Sequence, residues 1–193
     1  MENKIVFATG NPHKLQEVNE IAKNSGIQFI LPPEGFDPDE TGKTFEQNSL
    51  IKAREAARIS HKISLADDSG LCVEALNGEP GLKSARYAPT NDERIDKLLF
   101  NMEGIKNRSA EFVCAMVVVD KNGQILFKTQ EKCKGRILEK RTGVNGFGYD
   151  PVFFVEGINK GMAELSDVEK SKISHRARAL NNVLMWLKNE YTE

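Results

Sequence analysis

The chain has 193 residues, with 27 Lys and Arg against 28 Asp and Glu, for a formal charge of −1. It is long enough for a sizeable core and reads most simply as one domain over residues 1–193, or one domain with a lobe. The even charge balance leaves no global field to select nucleic acid or an anionic membrane. No apolar run approaches the ~20 residues needed to cross a bilayer. Cys72, Cys114 and Cys133 are odd in number and widely spaced, which fits reduced, buried thiols in the cytoplasm rather than a disulfide frame or a zinc site. The opening Met1-Glu2-Asn3-Lys4 runs directly into an apolar stretch, so no signal peptide is expected.

Lys4 to Thr9 reads as a short buried strand. Asn11 then suits a helix N-cap and Pro12 the first helical position. Leu15, Val18, Ile21 and Ala22 recur at helical spacing before Asn24-Ser25-Gly26 stops the run. A second strand is expected over 27–31, then an irregular acidic loop to Gly42. Thr44 and Gln47 fit a capping box that opens a helix to about Ser60, with Asn48 and Lys52 one turn apart on one face.

Ile63 to Ala66 reads as the end of one strand and Leu71 to Val73 as the start of another, with Asp67-Asp68-Ser69-Gly70 at their junction. Gly78 to Gly81 turns the chain, 82–88 carries Arg86, and a helix is expected over 91–102. Two β-rich runs, 109–120 and 124–134, flank Lys121-Asn122-Gly123, the strongest short hairpin signal. A glycine-rich stretch ends in Phe147-Gly148-Tyr149-Asp150, and 151–155 reads as a strand. Ser166 with Glu169 caps a short helix, and Ser174 caps the last one, striped by Ala177, Leu180, Leu184 and Leu187. The expected fold class is mixed α/β, a strongly twisted sheet with flanking helices and two lobes around a central cleft.

The acidic pair is the stretch hardest to explain structurally. Adjacent carboxylates repel unless a cation or basic groups offset them, and hard oxygen ligands suit Mg²⁺. The alternative is a solvated acidic turn. Thr9-Gly10-Asn11 with Lys14 has the parts of an anion site at a helix N-terminus. Gly42-Lys43-Thr44 is not a P-loop, because Asp37 stands where that motif needs its first glycine. Glu40 is a third candidate carboxylate. Phe147 and Tyr149 can stack on a flat ring, with Asp150 accepting from ring or exocyclic N–H groups, or they can belong to the core. His175 and Arg176 lie at a helix start, where a cation is unfavourable unless an anion is near.

Taken in order, these segments resemble the inosine triphosphate pyrophosphatase family. The matches are Ala8 to Lys14, Glu40-Thr41-Gly42 with Phe45 and Asn48 to Ala53, and Ala66 to Leu71. They continue through Pro80-Gly81, Ser84 to Tyr87, Gly146 to Pro151, Glu169-Lys170-Ser171 and Ser174-His175-Arg176. The resemblance implies hydrolysis of non-standard purine triphosphates (ITP, dITP, XTP) to monophosphate and pyrophosphate, a required Mg²⁺ and a homodimer. Carried over by position, Thr9, Gly10, Asn11, Pro12, His13, Lys14 and Lys52 would hold phosphates, with Asn48 and Arg86 also toward substrate. Asp68 would be the metal-linked general base with Ser69 touching substrate, and Lys52 would share in catalysis. Glu40 and Asp67 would complete the metal carboxylates. Phe147, Gly148, Tyr149, Asp150, Lys170, His175 and Arg176 would hold base and sugar. Phosphoanhydride hydrolysis needs neutralised phosphate charge and a positioned water, which such a set supplies. Spacing alone leaves open which of Asp67 and Asp68 is the base. A related pyrophosphatase acting on modified pyrimidines and a nucleotide-binding module without turnover are the rival expectations.

Overall fold

The structure, a computed structural model, describes residues 3–190. The elements run β1 (Asn3–Phe7), α1 (Pro12–Ala22), β2 (Ile27–Ile30), α2 (Phe45–Ser60), β3 (Ser64–Val73) and α3 (Asn91–Asn101). They continue with β4 (Ser109–Val119), β5 (Ile125–Ile137), β6 (Phe153–Val155), β7 (Lys160–Gly161), α4 (Asp167–Ile173) and α5 (His175–Glu190). The strands form one sheet in the order β2-β1-β3-β4-β5-β6-β7. β1 pairs in parallel with β2 and β3, while β6 pairs antiparallel with β5 and β7, so the sheet is mixed as expected.

The chain folds into two compact units. One gathers Met1–Asp68, Cys114–Glu131 and Arg176–Glu193, and the other gathers Ser69–Val113 and Lys132–His175. In the first unit, side-chain alternation along the strands sorts the core into two layers. Ile5, Phe7, Leu65, Cys114, Met116 and Val118 face Val18 and Ala22 of α1 and Leu180, Val183 and Leu187 of α5. Val6, Ala8, Ala66, Val117 and Val119 face Ala53, Ala56 and Ala57 of α2. The alanines let α2 lie close to the sheet, and Ser49 Oγ donates to the Ala66 carbonyl at 2.8 Å. The second unit has its own core, in which Leu71, Val73, Leu98, Met102, Phe112, Tyr149, Phe153 and Met162 pack together.

Local signals place most ends. Asn11 Oδ1 accepts from His13 N, with Pro12 opening α1. Thr44 Oγ1 accepts from Gln47 N, although the Gln47 side chain reaches Lys43 N rather than the cap's own N–H. Ser166 and Glu169 form a reciprocal capping box. Asp120 to Gln124 makes the turn between β4 and β5, with Gly123 at φ +80°.

Two expectations need correction, and one strand was not expected. The acidic pair does not sit at a junction between two strands but inside the single continuous strand β3. Stretch 151–155 begins as a 3-10 turn over Asp150–Val152, because Pro151 cannot donate to a ladder, and only Phe153–Val155 is strand. Two-residue β7 is too short to leave a periodic signal.

Candidate active site

The alternation that sorts the core also separates the two acids. Leu65 and Asp67 lie on the α1/α5 side of β3, whereas Ala66 and Asp68 lie on the α2 side. The two carboxylates therefore do not crowd each other. Each is hydrogen-bonded by a different lysine, Asp67 by Lys14 and Asp68 by Lys52.

Asp67 is buried against α1 and α5. Its Oδ1 accepts from Lys14 Nζ at 3.0 Å, and its Oδ2 accepts from Arg176 Nε and Nη2 at 3.2 and 3.1 Å. The third guanidinium nitrogen, Nη1, donates to Glu17 Oε2. Burial alone would push the Asp67 carboxyl up, but Lys14, Arg176 and Lys52 overcome it and hold the pKa far below the ordinary carboxylate value. Burial likewise opposes the Arg176 charge, and Glu17 and Asp67 more than offset it, so its pKa is raised. These anions resolve the unfavourable placement of a cation at the start of α5.

Asp68 has a different setting. Its Oδ2 accepts from Asn48 Nδ2 at 3.1 Å and its Oδ1 from Lys52 Nζ at 3.3 Å. The same ammonium lies 2.8 Å from Glu40 Oε1, so Lys52 is held between two carboxylates. Burial would discharge Lys52, yet Asp68, Asp67 and Glu40 outweigh it and raise its pKa. For Asp68, burial dominates and Lys52 and Asn48 only partly offset it, leaving the pKa above the ordinary 3.8. That direction is opposite to what an ion pair alone gives, and it suits a carboxylate that must take up a proton. The loop bearing Glu40 is tied to the same place: Gly42 N donates to Asn48 Oδ1 at 2.8 Å. A Cβ on Gly42 would stand 2.5 Å from that oxygen, so the close approach requires glycine.

Ahead of α1, Thr9 Oγ1 accepts from Asn11 N at 3.0 Å, shaping the turn that carries Gly10 into the helix. Gly10, Pro12 and His13 are exposed at the helix start.

In the second unit, Asp150 is buried and its Oδ2 accepts from Phe147 N at 2.9 Å and from Lys170 Nζ at 2.8 Å. The same ammonium lies 4.7 Å from the centre of the Phe147 ring. Gly148 bends the loop at φ +60°. Tyr149 is a core residue whose hydroxyl donates to the Ser84 carbonyl at 2.9 Å. It therefore anchors the loop from behind and is not a second stacking face. The His175 ring stacks on Phe112 at 4.9 Å between centres and 10° between planes. Ser69 is half-buried in β3, and Arg86 is exposed at the end of the 3-10 segment Gly81–Arg86.

The structure thus brings Glu40, Asn48, Lys52 and Asp68 together and gathers Phe147, Asp150 and Lys170. Besides Tyr149, two residues have partners that the sequence did not indicate. Asp67 is engaged by Lys14 and Arg176 on the opposite side of the strand from the Lys52 contact of Asp68. Arg176 is almost wholly buried, with its guanidinium on Asp67 and Glu17.

Residues 5–186 match the profile of the Ham1 family. The chain belongs to the Ham1 family. A Treponema denticola relative is 46% identical over 96% of this chain and 98% of its own length. One from Synechocystis is 43% identical over 93% of each. Both are named dITP/XTP pyrophosphatase. Two solved structures agree: a HAM1 protein from Coxiella burnetii, with TM-score 0.86 and 40% identity over 96% of this chain and 98% of that one, and the Staphylococcus aureus Ham1 protein, with TM-score 0.86 and 39% identity over 97% and 99%. These likenesses bear out both the motif resemblance and the mixed α/β fold.

Sequence reasoning missed three contributors to these Ham1 clusters. Glu17 carried one faint signal, its place three residues after Lys14 on the same helix face. Ser49 was hidden as a polar residue on a helix side that packs against the sheet. Phe112 looked like any strand aromatic.

Proposed function

We propose that this Ham1-family chain hydrolyses non-standard purine (deoxy)nucleoside triphosphates, namely dITP, XTP and ITP, to the monophosphate and pyrophosphate. Such an enzyme clears deaminated purines from the nucleotide pool. One observation carries the reading: an ammonium held between Glu40 and Asp68, in a chain closely related to proteins named dITP/XTP pyrophosphatase.

The donor set fits Mg²⁺. Glu40 and Asp68 present two hard carboxylates that are neither sealed nor fully exposed, at 25% and 12% side-chain exposure. Mg²⁺ commonly binds through one or two carboxylates together with substrate phosphates. When bound, it would neutralise phosphate charge and help acidify the attacking water. The protein's own groups do the rest. Lys14 and the Thr9–Asn11 turn hold phosphate oxygens, and Lys52 adds a second cation toward them. Asp68 accepts a proton as the water oxygen bonds to the α-phosphorus. The bond from that phosphorus to the α–β bridging oxygen breaks, and pyrophosphate leaves with the electron pair. Asn48 fixes the Asp68 carboxylate through Oδ2.

For the base, the Phe147 ring offers a stacking surface, with Lys170 and His175 as donors toward O6 and N7 of a 6-oxo purine. A 6-amino purine would present a donor to donors, and an unsatisfied buried group costs ~1–3 kcal/mol. Asp150 and Tyr149 are assigned to holding this loop rather than to the base. A homodimer and a cytoplasmic setting complete the proposal. No helix among the described residues is long and apolar enough to cross a membrane.

The test is a panel of dITP, XTP, ITP, ATP and GTP assayed with and without Mg²⁺. The proposal expects metal-dependent turnover with dITP, XTP and ITP at least about tenfold ahead of ATP in kcat/KM, as an unpaired donor implies. Equal rates for ATP and ITP would overturn the base assignment.

A further inference from the structure

Four charges of alternating sign run through the α1/α5 side of the first unit: Glu17, Arg176, Asp67 and Lys14. The guanidinium of Arg176 has only 2% side-chain exposure, and its contacts are divided. Nη1 is held by Glu17 Oε2, while Nε and Nη2 both donate to the single oxygen Oδ2 of Asp67. That division leaves Asp67 Oδ1 to accept from Lys14 Nζ, whose side chain is 16% exposed at the first turn of α1.

An unconstrained guanidinium next to a carboxylate prefers the two-pronged arrangement that takes both oxygens. Here Glu17 holds the guanidinium from the other side, and both Nε and Nη2 are directed at Oδ2. We infer that Glu17 is a positioning residue: through Arg176 it keeps one oxygen of Asp67 available to fix Lys14, and so sets the pocket's grip on phosphate.

This rests on the reading of Lys14 as a phosphate contact, and it adds a residue outside the segments that carry the resemblance. Glu17 itself does not touch the reacting groups. Without its charge, Arg176 turns onto both oxygens of Asp67, and Lys14 loses the partner that orders its ammonium. Affinity for the phosphate end then falls while the Asp68–Lys52–Glu40 cluster on the other side of the sheet is undisturbed. The signature is a rise in KM with little change in kcat.

The test uses the full chain, with Glu17→Gln and Lys14→Ala singly and together. Pyrophosphate binding is measured by calorimetry, and KM and kcat for dITP are measured alongside. Loss of one charge-assisted contact predicts about tenfold weaker pyrophosphate binding and a similar rise in KM in E17Q, with kcat within about twofold. The double variant should bind no more weakly than K14A alone, because Glu17 acts through Lys14. Glu17→Asp keeps the buried charge and carries the same test if E17Q does not fold; its shorter reach predicts an intermediate loss. Unchanged pyrophosphate affinity, or losses that add in the double variant, overturns the inference about Glu17. Failure of the wild-type chain to bind pyrophosphate overturns the phosphate reading itself, and the inference with it.

Discussion

Asp67 and Asp68 are adjacent in sequence, yet their environments drive them in opposite directions. Asp67 is enclosed by two cations and held charged, whereas Asp68 is pushed toward accepting a proton. Substituting each by Asn should therefore give opposite phenotypes. Asp68→Asn removes the proposed base while retaining a group of the same shape, so it should abolish turnover with the melting temperature nearly unchanged. Asp67→Asn leaves Arg176 and Lys14 without their shared anion in a buried site, which costs about 3–5 kcal/mol. It should lower the melting temperature by several degrees or more. Thermal unfolding of both variants, alongside dITP hydrolysis, checks the pair; an active and folded D68N would refute the assignment. The separation of these two roles was not legible in the chain. Asp, Ser and Gly are poor strand formers, so the local pattern read as a turn. The cations that let β3 run through lie 53 and 109 positions away in sequence.

At the scale of elements, the parts that sequence reasoning placed well are those with local causes. Caps at Asn11, Thr44 and Ser166, and the Asn-Gly turn, act within four residues and need no tertiary partner. α4 gives a pH-dependent test of such a local device. Glu169 accepts from the Ser166 backbone N–H and hydroxyl and from Lys160, which together hold its pKa at about 2, below the ordinary 4.5. A depressed pKa contributes stability that is present above the unfolded value and lost as pH falls through the folded one. The start of α4 should thus loosen between pH 4.5 and about 2 as Glu169 protonates. Protection of the Ser166 and Glu169 amides, relative to their intrinsic exchange rates, should fall as pH drops across that window in the wild-type chain. In Glu169→Ala, exchange at Ser166 should be fast throughout and should show no such step beyond the intrinsic pH trend. A step of the same size in the variant would show that another group controls the helix start.

For the whole molecule, each unit was only partly visible from sequence. The first draws on three separate stretches of chain, with parts of β4 and β5 and α5 from Arg176 onward joining the residues up to Asp68. Its two-layer core follows from strand alternation once the sheet order is known, and that order is not a local property. The functional motifs were legible because each is compact in sequence. The supporting charges were not, because Glu17 and Arg176 meet across the fold. The central claim is that Asp68 directs water at the α-phosphorus. Hydrolysis of dITP in ¹⁸O-labelled water, with both products analysed by mass spectrometry, tests it most directly. The account predicts label in the deoxyinosine monophosphate and unlabelled pyrophosphate. Label in the pyrophosphate, or release of orthophosphate as the first product, would contradict it.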